Sequence, residues 1–157
     1  MNAAWMPLPG GRAEQPNPGL IVVHAMGEYI DTEDVDYHAV EWLRHLGLSA
    51  HAFVTPSGVV IRSRQDEQGA WHAKGHNTGS LGVEFLVPGL HTYETFTHHI
   101  ATREWVGAAQ YEAGAKLVRQ WRTRYGCDLR RHSDLSPGRK VDPGEGFPWN
   151  RFLADVG

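Results

Sequence analysis

The order in which short apolar runs and helical stretches follow one another constrains this chain more than any other feature. Residues 20–24, LIVVH, form a brief continuous apolar run of the kind a strand buried on both faces requires. Residues 33–46, EDVDYHAVEWLRHL, place Val35, Ala39, Leu43 and Leu46 on one helical stripe, with Asp31 or Thr32 as N-cap and Gly47 as stop. HAFVT, the turn PSG and VVIRS read as a hairpin, and GSLGVEFLV as a further strand closed by Pro88-Gly89. The longest helix runs from Arg103 to Tyr125, apolar along Val106, Ala109, Ala113, Leu117 and Trp121, weakened by Gly107 and Gly114 and stopped by Gly126. A short helix around 148–155 follows. Strand, helix, hairpin, strand, helix predicts α/β: a single domain with a mixed central β-sheet and helices packed on its faces. Residues 1–19, broken by prolines and glycines, read as an irregular N-terminal arm before a catalytic domain over residues 20–157.

Bulk properties narrow the possible partners. A net charge of −3 gives no whole-chain attraction for nucleic acid or an anionic membrane surface, so no nucleic acid partner is expected. The basic strip Arg130, Arg131, Arg139 and Lys140 remains a local place for an anion. One cysteine, Cys127, excludes an intrachain disulfide and reads as a small residue near a helix end. The first twenty residues lack the apolar centre of a secretory signal, and no apolar run approaches the roughly 18 residues of a membrane span. The expectation is a monomer made in the cytoplasm, without membrane insertion. Ten histidines are many for 157 residues, a first hint of metal or acid–base chemistry.

The chemistry gathers in residues 130–144, RRHSDLSPGRKVDPG. Two Pro-Gly pairs mark turns there rather than ordinary helix or strand, and His132, Lys140 and Asp142 stand among them. His24 ends the first buried strand. Each residue alone reads as well for a core or turn position as for a ligand; the grouping is what points to metal. Two imidazoles and a carboxylate suit zinc and leave one tetrahedral position open, the arrangement of catalytic sites. FTHHI, with His98 and His99, looks like a second pair, but it reads as a solvated loop whose adjacent side chains point apart.

HSDLSPGRKVDPG closely resembles the C-terminal signature of the zinc-dependent N-acetylmuramoyl-L-alanine amidases, a superfamily that includes phage lysozyme-type amidases and peptidoglycan recognition proteins. WHAKGHNTGSLGVEF, residues 71–85, resembles the central motif, IVVH the first metal-ligand strand, and SAHAFVTPSGVV the hairpin between them. The resemblance covers about residues 20–153 with all motifs in order. It implies one zinc ion held by His24, His132 and Asp142, Glu84 as general base and acid, and Lys140 on the substrate carbonyl. Trp71, His72 and Asn77, within the central motif, are candidates to line the substrate groove. Ala50 departs from those relatives that carry a catalytic tyrosine there, which places more weight on Glu84; His51 reads as structural.

The function so implied is hydrolysis of the amide joining N-acetylmuramic acid to L-alanine, with peptidoglycan or a muropeptide as substrate. The compact chain favours a lytic, endolysin-like enzyme that reaches the cell wall after release or export. A cytosolic amidase recycling anhydro-muropeptides, or a non-catalytic peptidoglycan-binding module, are the alternatives. Retention of all three ligands together with Glu84 and Lys140 speaks against the binding module.

Overall fold

A computed structural model describes residues 3–28 and 35–157. Six strands form one mixed sheet in the order β1-β4-β3-β5-β2-β6. They are β1 (Ala3–Trp5), β2 (Leu20–Glu28), β3 (Ala52–Val54), β4 (Val60–Arg62), β5 (Ser80–Leu90) and β6 (Asp128–Arg131). The expected hairpin is β3–β4, the antiparallel pair; β2 pairs parallel with both β5 and β6, β3 with β5, and β1 with β4. Helices α1 (Val35–Leu46), α2 (Tyr93–Thr102), α3 (Ala108–Tyr125), α4 (His132–Leu135) and α5 (Trp149–Val156) complete the domain.

Strand alternation sorts the side chains into two layers. Ile21, Val23 and Ala25 of β2 and Leu81, Val83, Phe85 and Val87 of β5 join the core beneath α2, α3 and α5. Met26 and Leu86, on the opposite parity, join a second core with Ala39, Val40 and Leu43 of α1. His24 and Glu84 share that parity, so the α1 side of the sheet carries the chemistry. Within the expected α1 stripe, Ala39 and Leu43 are buried but Leu46 is half exposed. The expected caps Asp31 and Thr32, and the side chain of Val35, lie outside the described residues.

Several expectations need correction. The arm is not wholly irregular: Ala3–Trp5 adds a strand beside β4. His24 does not end its strand, since β2 continues to Glu28. Strand β5 likewise runs past Pro88 and Gly89 to Leu90, because the β2–β5 register shifts after Gly27–Val87 and leaves that pair in the irregularity. FTHHI is helical rather than a loop: Thr92 caps α2 through reciprocal bonds with Thr95, and Phe96 and Ile100, four apart, are buried. Residues 103–107 precede α3, whose N-cap is Gly107, so its buried face falls on Gln110, Tyr111, Gly114, Leu117, Val118 and Trp121 while Ala109 is exposed. The buried Gln110 amide donates to Val54 and Leu86 carbonyls at 2.9 and 2.8 Å, tying the helix to β3 and β5. Residues 130–144 open on the end of β6 and one helical turn, α4, before the turns begin.

Candidate metal centre and active site

Parallel pairing brings the donors together. His24 sits opposite Glu84 in the β2–β5 ladder, and Val23 opposite Arg131 in the β2–β6 ladder, so His132 emerges beside His24. From there α4 and a turn held by Lys140 and Arg139 N–H groups donating to the Ser136 carbonyl reverse the chain. Asp142 returns to α4, where its carbonyl accepts from the Ser133 N–H at 3.0 Å. Arg131 is spent on this scaffold, donating to both oxygens of Asp134 at 3.0 Å. Arg139 donates to Ser136 Oγ, so of the basic strip Lys140 is the residue that lines the cleft.

His24 Nδ1 lies 3.0 Å from His132 Nδ1 and 3.2 Å from Asp142 Oδ2, and His132 Nδ1 lies 3.2 Å from Asp142 Oδ2. All three side chains are buried. Among the described residues these three form the group of donors able to hold a metal ion. Donors around a tetrahedral zinc at about 2.0–2.2 Å stand about 3.3–3.5 Å apart, so the triangle is close to the required size. Hard oxygen and imidazole nitrogen donors on a shared face, with Asp142 ionised, are the set that zinc accepts.

Electrostatics within the site are uneven. Burial works against the Asp142 carboxylate, yet its hydrogen bonds with His132 and His24 outweigh burial and hold it well below the usual carboxylate range. Burial also disfavours charge on His24, but Glu84 and Asp142 reverse the balance and raise its pKa. His132 is lowered, mainly by burial. Glu84, with Oε1 at 3.9 Å from His24 Nδ1, is pushed up to about 7, chiefly because it is desolvated. A carboxyl that titrates near neutrality is suited to take and return a proton.

The site floors a cleft of about 170 Å³. Glu84 and Lys140 line it; Trp42, Trp71, Tyr93, Phe96 and Val141 give it an apolar wall. Trp71 is partly exposed at the rim. His72 lines the cleft, as does Trp71, and also reaches behind His24, its Nδ1 at 2.9 Å from His24 Nε2. Asn77 is placed away from the cleft lining, with Oδ1 accepting from the His72 and Ala73 N–H groups at 3.0 and 2.8 Å. His51 is fully buried and bonded on both nitrogens, to the Gly82 N–H and the Gln68 carbonyl. Cys127 donates to the Pro18 carbonyl from the core. His98 and His99 lie on the outer part of α2, apart from the donor triad. Sequence reasoning missed Trp42, Tyr93 and Phe96, because the loop reading of residues 96–100 concealed the helix that carries two of them.

Residues 14–145 match the family described as N-acetylmuramoyl-L-alanine amidase. Over 170 residues the chain is 29% identical to the 1,6-anhydro-N-acetylmuramyl-L-alanine amidase AmpD of Citrobacter freundii, covering 92% of this chain and 84% of that protein. Among solved structures, it superposes on a selenomethionine AmpD derivative with a TM-score of 0.75 and 25% identity, over 99% of this chain and 94% of that one. The endolysin amidase LysCS of Clostridium intestinale shares the fold, with a TM-score of 0.72 and 21% identity over 98% and 94% of the two chains.

Proposed function

The chain belongs to the N-acetylmuramoyl-L-alanine amidase family, and from that premise we propose that it is a zinc-dependent enzyme whose substrate is a soluble anhydro-muropeptide. The observation that carries the metal reading is the 3.0–3.2 Å triangle of His24, His132 and Asp142, with Glu84 beside it. Zinc bound by those three side chains supplies Lewis acidity, acidifying water and polarising the scissile carbonyl.

The chain's own residues complete the chemistry. Glu84 accepts a proton from the attacking water as the new C–O bond forms, and returns it to the leaving nitrogen as the C–N bond breaks. Its raised pKa suits both transfers near neutral pH. The Lys140 ammonium, on the cleft wall, stabilises charge developing on the carbonyl oxygen. Trp42, Trp71 and Tyr93 offer faces against which sugar and peptide pack, excluding water from the reacting bond. The products are the muramic acid moiety and a stem peptide with a free L-alanine amine.

The choice of a soluble substrate rests on the AmpD relatives, whose likeness spans nine-tenths of this chain. It departs from the lytic reading favoured by chain size alone. The likeness to an endolysin, at 21% identity, supports that second reading at the level of fold. Metal content by mass spectrometry, beside turnover of an anhydro-muropeptide and of intact sacculi with and without chelator, separates the possibilities. One zinc per chain, chelator-sensitive turnover and preference for the soluble substrate are expected. Release of peptide from sacculi at an equal or higher rate overturns the substrate assignment, and full turnover after chelation overturns the metal.

A further inference from the structure

We propose that His72 is a positioning residue that fixes the tautomer of His24 and thereby aims its Nδ1 lone pair at the metal position. The inference rests on the zinc reading above and assigns His72 a task other than substrate contact. The proton order follows from one unambiguous acceptor. Ser80 Oγ donates its hydrogen to the Asn77 carbonyl at 3.0 Å, so it has only lone pairs for His72 Nε2 at 2.9 Å. His72 must therefore carry its hydrogen on Nε2 and accept on Nδ1. The atom 2.9 Å from that Nδ1 is His24 Nε2, which then donates. A neutral His24 with Nε2–H has its free lone pair on Nδ1, the atom that faces His132 and Asp142. The chain carbonyl–serine–histidine–histidine thus transmits a backbone constraint to one ligand atom. Metal-binding histidines ordinarily hand their second N–H to a carboxylate, carbonyl or water; here another imidazole takes that place.

The surrounding sequence makes room for this arrangement. A Cβ on Gly82 would lie 2.6 Å from His72 Cγ and Nδ1, so only glycine leaves the ring seated on the sheet. Ser80, Gly82 and Glu84 share one face of β5 by strand alternation, which aligns anchor, seat and general base in a row. Asn77 holds the His72 and Ala73 N–H groups, fixing the turn from which the ring projects. His132 has no counterpart, because its buried Nε2 finds no partner among the described residues. Of the two imidazoles, His24 is thus the one whose second nitrogen is hydrogen-bonded from behind.

Two measurements test the assignment. In long-range proton–nitrogen spectra of the metal-free parent, His72 should show a protonated Nε2 and a bare Nδ1; the reverse tautomer overturns the proposal whatever the variants do. Zinc affinity, measured by competition with a chromophoric chelator, should weaken roughly 10–100-fold in His72→Ala. It should also weaken, to a smaller extent, in Ser80→Ala, which leaves the His72 ring in place. Circular dichroism checks that both variants are folded. A parent that binds zinc while folded His72→Ala and Ser80→Ala bind it as tightly overturns this inference alone. A parent that takes up no zinc overturns the metal reading and this one with it.

Discussion

Glu84 and His51 show how differently burial acts on two titratable side chains of one sheet face. Glu84 is desolvated but faces the cleft, so its pKa moves to about 7 and the group stays available to solvent-borne chemistry. Glu84→Gln keeps the size and removes the proton acceptor. Turnover should fall by roughly 10²–10⁴-fold with zinc content and circular dichroism unchanged; turnover within a few-fold of the parent would discredit Glu84 as base. His51 is enclosed, and burial lowers its pKa to about 4. Its Nδ1 must also stay unprotonated to accept from Gly82 N–H. The unfolded chain therefore binds a proton at His51 near pH 6.5 that the folded chain refuses until about pH 4. The stability contribution is complete above the first value and lost as pH falls toward the second, by about 3 kcal/mol in all. Urea midpoints should drop between those limits, and His51→Gln, weaker at neutral pH, should show a shallower drop. Parallel profiles for parent and variant would remove His51 from the account.

At the scale of elements, glycines decide which helices can lie close to the sheet. Gly114 reads from sequence as a weak point in α3, where alanine ordinarily stabilises a helix interior by about 0.5–1 kcal/mol. In the fold a Cβ there would collide with the Phe85 ring of β5. Phe85 is fully buried and in edge-on contact with Phe147 and Phe152, so the ring has nowhere to retreat. Gly114→Ala should therefore destabilise, by about 1–3 kcal/mol. A rise in thermal midpoint would show that α3 can shift from the sheet. The same logic explains Gly27 beneath Phe96 of α2, where a Cβ would come within 2.8 Å of the ring. The α2 helix reaches the cleft through that contact, since Phe96 also lines it.

For the molecule as a whole, the amino-terminal arm is part of the domain that carries the site. Buried Arg64, beyond the β4 end, donates to the carbonyls of Gly69, Leu8 and Arg12 at 2.9, 3.1 and 2.7 Å. Gln15 adds bonds to the Asp66 and Ser80 carbonyls, the latter belonging to the residue whose hydroxyl meets His72. Arg64→Met keeps the stem and takes the guanidinium donor from the Gly69 and Leu8 carbonyls, while the Arg12 carbonyl keeps the Gly69 N–H. A loss of about 2–4 kcal/mol is expected, together with faster proteolysis within residues 1–19. Unchanged protease resistance in that variant would mean that the arm is held by β1 and Leu8 without the guanidinium.

Sequence alone determined the class of fold, which follows from local apolar periodicity, and through its motifs pointed to His24, His132 and Asp142 as candidate donors. Apolar runs and turn residues mark strands, and His24, Glu84, His132, Lys140 and Asp142 stand in motifs whose order is preserved along the chain. Tertiary structure alone decided what depends on neighbours distant in the chain. No spacing reveals that β6 pairs with β2 and delivers His132 to His24, that His72 hands both nitrogens to other residues, or that Gly114 seats Phe85. A side chain's partners across a parallel sheet are set by register between distant segments, here β2 and β6, with His24 and His132 108 residues apart, and periodicity within one segment carries no information about that register.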